Sequence, residues 1–385
     1  MNTEGFESFI KFSQKFLKFL FPKKNFNNYF SFSKFVRVVI TILVFAFVAT
    51  TFSCSRTTNE TTSNKGQTST EQSGTEQKEI SQITAKLIPI RKNELWGFCD
   101  KNKNIVIPAS YDKVLPFSDG LAAVEKNYKW GYVDEKGTLV IPIQFTSVYP
   151  FREGLAAVCW NESWVYIDKD GKNVFGKIFD DAHPFKEGYA VVGFGQYPKT
   201  QYGFLNKTGN LVIPAKFKWA NQFVKGIACV QVEDGWTFIN TKGEKLFGKV
   251  FNAACNFSDG LAAVNVKGKW GYIDTKGNMA IAPQFEKAGE FREGLAPIMV
   301  GSRWGYIDGK GTFVISPKYD IANSFNDDLA VISLNGKYGY VDKKGNLVIP
   351  NIFDFANNFN EGIALVLLYK DWVYIDKTGR QFWQE

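Results

Sequence analysis

Short apolar runs alternate with polar turns along most of the chain. In one representative stretch the runs are LAAV at 121–124, WGYVD at 130–134 and LVIP at 139–142. They are rich in Val, Ile and Tyr, are bounded by Gly or Pro, and are too short for helices, so each predicts a β-strand. We name these strands A, B and C. The segment 134–137 (DEKG) predicts a tight turn that joins B and C into a hairpin, because Asp bonds its own backbone and Gly tolerates positive φ.

The three-strand pattern recurs with a period of 34 residues. The aromatic residue near the start of strand B occurs nine times, and seven of the eight intervals are 34 residues long while one is 38. The four extra residues lie within 193–201 (GFGQYPKTQ), which predicts a lengthened loop. The chain therefore predicts nine three-stranded antiparallel units of about 34 residues. The defining repeat positions are Trp96, Gly97, Trp130, Gly131, Trp164, Tyr202, Gly203, Trp236, Trp270, Gly271, Trp304, Gly305, Tyr338, Gly339 and Trp372.

The recurring Trp-Gly pair suggests a structural role. In a strand, Trp130 and Tyr132 share one face and Gly131 lies on the other. A Trp side chain buries some 150–250 Å², so we predict that it anchors the core between units. Gly marks a place where two backbones approach closely. The alternative is that the aromatic residues form an exposed platform for a ligand.

Two arrangements of nine all-β units are compatible with this pattern. We predict an open superhelical or solenoid array, because identical complete units stack in such arrays. The alternative is a closed ring like a β-propeller, whose blades usually contain four strands and number four to eight. Contact between the first and the ninth unit distinguishes the ring from the open array.

The combination of KWGYVD at 129–134, Gly137, VIP and F-x-E-G-L-A-A-V resembles the bacterial WG-repeat family. The resemblance covers all nine units, about 300 residues. It departs at Val165, Thr237 and Val373, which replace Gly, and at VFGK and LFGK in units three and five, which replace VIP. The resemblance implies all-β repeats, often in exported or surface proteins. It implies no enzyme activity and carries no catalytic residues.

The amino-terminal part of the chain predicts export. Residues 38–52 are apolar or Thr, without charge, and follow Lys34 and Arg37. A run this short is typical of a signal-peptide core. The following Ser53-Cys54 resembles a bacterial lipoprotein signal, which implies lipidation at Cys54; an uncleaved anchor and an ordinary cleaved signal are the alternatives. We thus divide the chain into a signal segment (1–54), a disordered polar tether (55–82) and a repeat domain (83–385).

Charge and chemistry exclude several classes of function. Five of the eight net positive charges lie in residues 1–54, so the repeats carry no basic stripe and we expect no nucleic-acid partner. His183 is the one histidine, and we interpret it as a surface-loop residue. Cys99, Cys159, Cys229 and Cys255 differ in phase and form no CxxC motif, and the turn at 168–171 lacks the ligands of a calcium loop. We therefore expect no metal, no cofactor and no catalytic residue.

These observations lead to one functional hypothesis and one alternative. The hypothesis is a non-enzymatic, exported, lipid-anchored binding or scaffold module at the cell envelope, with a protein or glycan as its ligand and the repeats outside the cytoplasm. The alternative is an envelope hydrolase that uses paired carboxylates. Its candidates are the acids that precede the Gly of strand A, namely Asp119, Glu153, Glu187, Asp259, Glu293 and Glu361. Because function should lie where units differ, the 193–201 loop is the first candidate surface.

Overall fold

A computed structural model describes residues 83–381, and all regular secondary structure in this part of the chain is β. The signal segment, the tether and the predicted lipidation site Cys54 lie outside the described residues. Within them, no helix is long and apolar enough to cross a membrane.

The described residues form nine small antiparallel sheets, which we call blades 1 to 9. Blades 1 to 4 contain β1 (Ile88–Lys92), β2 (Leu95–Cys99) and β3 (Ile105–Tyr111); β4 (Lys113–Val114), β5 (Leu121–Lys126), β6 (Lys129–Asp134) and β7 (Leu139–Phe145); β8 (Ser147–Val148), β9 (Ala156–Trp160) and β10 (Ser163–Ile167); and β11 (Asp181–Ala182), β12 (Tyr189–Phe194), β13 (Gln201–Asn206) and β14 (Leu211–Phe217). Blades 5 to 7 contain β15 (Trp219–Ala220), β16 (Ile227–Val232), β17 (Gly235–Asn240) and β18 (Lys245–Phe251); β19 (Ala253–Ala254), β20 (Leu261–Val266), β21 (Lys269–Asp274) and β22 (Met279–Phe285); and β23 (Lys287–Ala288), β24 (Leu295–Val300), β25 (Arg303–Asp308) and β26 (Phe313–Tyr319). Blades 8 and 9 contain β27 (Ile321–Ala322), β28 (Ala330–Leu334), β29 (Lys337–Val341) and β30 (Leu347–Phe353); and β31 (Phe355–Ala356), β32 (Ile363–Leu368) and β33 (Asp371–Asp376).

The predicted strands A, B and C form in seven blades, whereas in blades 3 and 9 isolated bridges replace strand C. Blades 2 to 9 each add a short strand that the sequence did not predict. In blade 2 the strand order is β4-β5-β6-β7, in which β5, β6 and β7 are A, B and C. The additional strand is only two residues long and pairs with strand A. One residue separates it from strand C of the preceding blade, as between β7 and β8. The 34-residue unit can therefore hold four strands, because the fourth costs almost no chain length.

Strand C is an edge strand with a wide bulge. In blade 2, Tyr132 pairs with Ile141 and Trp130 pairs with Phe145, so four steps along strand C oppose two steps along strand B. Pro142 lies within this bulge. Because the bulge is in an edge strand, the missing N–H of Pro142 breaks no hydrogen bond between paired strands. The bulge brings the backbone of strand C over Gly131, which is the basis of the Trp-Gly signature described below.

The nine blades form a closed ring, so the prediction of an open superhelical array is wrong and the propeller-like alternative is correct. The backbone N–H groups of Thr84 and Ala85 donate to the carbonyl of Glu361, at 3.0 and 3.4 Å. The rings of Trp96 in blade 1 and Tyr374 in blade 9 meet edge to face at 6.1 Å. The physical reason for closure is that each blade exposes an apolar face to the next, and contact between first and ninth leaves neither face uncovered.

The core lies between blades rather than within them. Each apolar cluster combines residues of two neighbouring blades, such as Phe98 and Ile107 of blade 1 with Val124 and Val133 of blade 2. The closing cluster joins Ile88 and Ile90 to Ile363. Because a single blade buries little by itself, stability depends on every neighbour being present.

Candidate functional site

The aromatic positions of the Trp-Gly signature lie between blades and are mostly half-buried. Trp130 and Tyr202 are buried, and the other seven are partly exposed. The deeper anchor is the aromatic residue two positions later, such as Tyr132, which is fully buried. Its hydroxyl donates to the carbonyl of Tyr149 in the next blade at 2.8 Å, and Tyr166, Tyr272, Tyr306 and Tyr340 form the same bond with the residue 17 positions onward. The main core anchor is thus the Tyr that shares a face with Trp.

The Gly of the signature is required by the bulge of strand C. A Cβ atom on Gly131 would lie 2.6 Å from the carbonyl oxygen of Ile141, and one on Gly305 would lie 2.5 Å from that of Ile315. The same close approach occurs at Gly97, Gly203, Gly271 and Gly339. Since the obstructing atoms are backbone, a side chain could fit only if the bulge changed.

Two of the three units that lack this Gly, blades 3 and 5, have a different sequence in strand C; the third is blade 9, with Val373. Blades 3 and 5 carry Val165 and Thr237 in its place, and both replace the Ile-Pro of the bulge with Phe-Gly-Lys. In blade 5, Phe247 and Gly248 have φ of 64° and 58°, so the bulge follows another path. The hydroxyl of Thr237 then donates to the carbonyl of Lys249 at 2.9 Å. The loss of the Gly in strand B and the Phe-Gly-Lys sequence in strand C therefore form one alternative packing of these two strands.

The acids that precede strand A link neighbouring blades. Asp119 accepts the N–H of Gly154 at 2.8 Å, and Glu153 accepts that of Gly188 at 3.1 Å. Glu187, Asp259, Glu293 and Asp327 make equivalent bonds to the next turn. Lys225 occupies this position in blade 5. Six carboxylates thus serve as acceptors for backbone amides, and five of them are the candidates of the hydrolase alternative other than Glu361.

Glu361, the last of these acids, has a different environment. Partial desolvation of its carboxyl and then the negative charge of Asp327 raise its pKa. Asp327 accepts the N–H of Gly362 at 2.8 Å, and Glu361 remains solvent-exposed. A glycosidase-type mechanism needs two carboxyls at a defined separation with one held neutral by burial, and this pair lacks the burial.

A distinct polar group occurs in blade 4, in a row of residues that crosses the sheet. The pairing places Asp181 opposite Gly193, and Gly193 opposite Tyr202. Because Gly193 has no side chain, the Tyr202 hydroxyl reaches across it and donates to Asp181 Oδ2 at 3.0 Å. A Cβ on Gly193 would lie 3.0 Å from both Asp181 Cβ and Tyr202 Cε1.

His183 belongs to the same group: it lies in a connecting loop, as predicted, but its side chain is not at the surface. It follows β11 directly, and its side chain is largely buried. Its Nε2 lies 3.5 Å from Asp181 Oδ2. Its ring lies 6.2 Å from that of Tyr149, 6.3 Å from Tyr202 and 6.1 Å from Trp219. The imidazole thus sits among aromatic rings from blades 3, 4 and 5.

The electrostatics of this cluster favour an ionised carboxylate beside neutral phenols. Burial raises the pKa of Asp181, but the proximity of His183 and the hydrogen bond from Tyr202 outweigh it, so the pKa is lowered. Burial, and then the charge of Asp181, raise the pKa of Tyr149 and Tyr202. The tyrosines are therefore hydrogen-bond donors rather than nucleophiles at neutral pH.

The turns between strands A and B carry the most exposed aromatic side chains. Tyr128 in blade 2 is 78% exposed, Trp160 in blade 3 is 53%, Tyr197 in blade 4 is 74% and Tyr369 in blade 9 is 82%. Tyr197 lies in the predicted 193–201 loop. The equivalent turns of blades 5 to 8 are EDG, KG, GS and NG. Since all A–B turns project from the same side of the ring, we call this side the A–B rim. Its exposed aromatic residues lie in blades 9, 2, 3 and 4, whereas the turn of blade 1 is Asn93-Glu94.

Other candidate sites are accounted for by structure. Asp168 Oδ1 accepts the N–H groups of Asp170 and Lys172, at 3.1 and 2.9 Å, as a turn residue does. Among residues 83–381 no group of three potential ligands could hold a metal ion. The four cysteines of the repeats are free, and burial raises the pKa of Cys99 and Cys255 to about 12. An open depression of about 310 Å³, lined by residues that include Glu187, Lys207 and Val212, lies at the opposite end of the blade 4 strands from the cluster.

The described residues form a closed ring of nine small antiparallel sheets. This architecture is that of an all-β repeat protein that closes like a propeller. The chain belongs to the WG-repeat family. The family pattern described as WG containing repeat matches 96–130, 130–164, 164–196, 202–236, 236–270, 270–304, 304–338 and 338–372. Seven of these eight segments run from one signature aromatic residue to the next, and the segment that starts at 164 ends at 196, within the insertion that precedes Tyr202.

Solved structures of similar shape are distant in sequence. Kluyveromyces lactis Hsv2 is 10% identical, with 59% of this chain and 87% of that chain covered and a TM-score of 0.36. Dihydro-heme d1 dehydrogenase NirN in complex with DHE is 12% identical, with 69% and 72% covered and a TM-score of 0.43. PorZ, a surface component of the type-IX secretion system of Porphyromonas gingivalis, is 12% identical, with 78% and 51% covered and a TM-score of 0.31. The comparison with curated proteins finds no match.

Proposed function

We propose that this WG-repeat protein is a non-enzymatic binding module of the cell envelope, held at a membrane by a lipid on Cys54 and presenting its A–B rim to a protein or glycan ligand. The observation that carries the proposal is the uneven distribution of exposed aromatic side chains on this rim. Exposed aromatic side chains are favoured at binding surfaces, because they offer a large apolar area and, in Tyr and Trp, a polar group.

The location follows from the amino-terminal sequence. An apolar core at 38–52, Ser53-Cys54 and the polar segment 55–82 match an exported domain on a flexible tether. No cofactor or nucleic-acid partner is part of the proposal. The use of the recurring acids as blade-to-blade acceptors supports a non-enzymatic role.

Binding is tested with the wild type and two variants of the full-length chain. Immobilised protein is incubated with envelope preparations separated into protein and polysaccharide fractions. We expect retention from one fraction to fall at least tenfold when Tyr128, Trp160 and Tyr197 are replaced by Ala together. Val300→Ala is the matched control, because Val300 is 41% exposed next to the equivalent turn of blade 7. Retention that is equal in the triple variant and the wild type, or absent in both, contradicts the proposal.

Anchoring is tested separately by Cys54→Ser. We expect the wild-type chain to incorporate a labelled fatty acid and to sediment with membranes, and the variant to incorporate none. Incorporation that persists in the variant contradicts lipidation at Cys54 without bearing on the rim.

A further inference from the structure

We propose that the surface around Trp219, where blades 4 and 5 meet, is a saccharide-binding site in which the indole stacks on a sugar ring while Asp181, whose side chain is 30% exposed beside His183, accepts a hydrogen bond from one of its hydroxyl groups. This inference rests on the proposed binding function and specifies a ligand class and a position for it.

Trp219 is held in place but not covered. It is the first residue of the short strand β15, and Asp181 is the first residue of the equivalent strand β11 in the preceding blade. Its ring lies 5.2 Å from that of Tyr202 and contacts His183 edge to face at an interplanar angle of 79°. Its Nε1 donates to Asn221 Oδ1 at 3.1 Å. Trp219 nevertheless remains 38% exposed, so it is an oriented platform that loses little entropy when a ligand binds.

Polar groups adjoin this platform. The contacts from Tyr202 and His183 to Asp181 both involve Oδ2, and we assign Oδ1 to a ligand hydroxyl. A hydroxyl that donates to an ionised carboxylate forms one of the stronger classes of hydrogen bond. Gln231, the cross-strand partner of Trp219, is half-buried on the other side of the platform. The arrangement therefore combines one apolar face with acceptors and donors at its edge.

This chemistry matches a sugar better than the other ligand classes. A pyranose has an apolar C–H face and a rim of hydroxyl donors, which fit one aromatic ring beside a carboxylate and an amide. Acidic ligands are disfavoured by Asp181. A protein partner usually needs a larger apolar patch, whereas the polar residues Asn221 and Gln231 lie beside Trp219.

The combination of an exposed Trp with a carboxylate and an imidazole from the preceding blade occurs once among the short strands of blades 2 to 9. Their other first residues are Lys113, Ser147, Ala253, Lys287, Ile321 and Phe355. The four-residue insertion of blade 4 also lies beside this cluster, since Gly195 N–H donates to Asp180 Oδ2 at 2.7 Å and Thr200 approaches Gly193. Three departures from the repeat, namely an imidazole, an insertion and an exposed indole, therefore converge on one surface.

The test is a titration of the full-length chain with neutral oligosaccharides of glucose, N-acetylglucosamine, mannose and galactose, followed by tryptophan fluorescence and calorimetry. We expect at least one series to bind. Trp219→Ala should weaken that affinity at least tenfold and Asp181→Asn about fivefold, while Trp219→Phe should retain most of it. Ile321→Ala is the matched control, since Ile321 occupies the same position in blade 8 and is 39% exposed.

A further variant, Gly193→Ala, tests the geometry of the site without changing a side chain that is proposed to contact the sugar. Gly193→Ala would place Cβ 2.9 Å from Thr200 Cγ2 and 3.0 Å from Asp181 Cβ, so it should displace the Asp181–Tyr202 pair. We expect a several-fold loss of affinity with a thermal midpoint close to that of wild type. If Gly193→Ala unfolds the chain, Asp181→Asn serves as the test of the same pair.

The outcomes separate this inference from the broader function. Binding that is unaffected by Trp219→Ala and Asp181→Asn overturns the site. Failure of every oligosaccharide to bind overturns the ligand class. In either case, retention of an envelope component that still depends on the rim aromatics leaves the binding function standing, whereas loss of both contradicts the two proposals together.

Discussion

Blades 6 to 8 and blades 3 to 5 use the same unit in different ways. In blades 6 to 8, Gly271, Gly305 and Gly339 all lie under an Ile-containing bulge of strand C. Blades 3 to 5 contain two substituted Gly positions, two Phe-Gly-Lys bulges, the insertion and the His183 cluster. Both groups nevertheless close into one ring. The difference shows that a blade can vary if each B-strand change is matched in strand C and the contact with the next blade is kept.

The contact between neighbouring blades is kept at the turn between strands B and C. In regular blades an Ile of strand C packs against the turn Gly of the next blade, as Ile281 does against Gly311. In blade 5, Phe247 takes this place against Gly277. The Lys of the altered bulge adds a bond, because Lys249 Nζ donates to the carbonyl of Gly277 at 2.9 Å. The alternative packing therefore preserves the interface while it frees the B-strand position for a side chain.

The largest effect is expected when a blade 5 feature is placed alone in a regular blade. Gly305→Val would put Cβ 2.5 Å from the Ile315 carbonyl oxygen, and we expect it to lower the free energy of unfolding by about 3 kcal/mol. Replacing residues 315–317 by Phe-Gly-Lys in the same chain should restore at least half of the loss. Urea denaturation measures both, with the 315–317 replacement alone as control. A single substitution that costs less than about 1 kcal/mol would contradict the clash.

A smaller effect is expected at the links between blades. Asp119→Ala removes the acceptor of the Gly154 N–H, and we expect a loss of about 1–2 kcal/mol. Lys225→Ala is the natural control, because blade 5 has no acid at this position and Asn256 joins blades 5 and 6 instead, through Cys229 N–H at 3.0 Å and the Gln222 carbonyl at 2.8 Å. If both substitutions lower the free energy of unfolding equally in urea denaturation, the hydrogen bond from the Gly154 N–H to the Asp119 carboxylate does not stabilise the fold.

The smallest effect is expected at the hairpin turns. Hydrogen bonds from Thr312 and Lys310 lower the pKa of Asp308. The unfolded chain therefore takes up the proton first, so the stabilisation is present above about pH 4 and is lost as the pH falls through the folded pKa. Asp308→Asn should be neutral at pH 7, because Asn206 and Asn240 occupy this position naturally. It should lose less stability than wild type at acid pH, as followed by thermal unfolding between pH 3 and 7; parallel curves would refute the linkage.

The strands were predictable because each unit shows its alternation and its turn residues nine times. The short strands were not, because two residues such as Ser147 and Val148 contain no alternation to detect. Closure was also hidden, since the angle between neighbouring blades depends on the fit of many side chains in their interface. A signal for the blade 4 cluster did exist. Asp181, His183 and Gly193 stand at repeat positions occupied by other residue types elsewhere, but only the pairing of strands shows that they meet.

The contact of Thr84 and Ala85 with Glu361 has a consequence for how such a gene can change. In an open array, unequal recombination between similar repeats adds or removes a unit at little cost. In a ring held shut by its two ends, a tenth unit would require every interface to adopt a new angle at once. The number of blades in this chain is therefore constrained by the structure, and single blades can change more readily than their number.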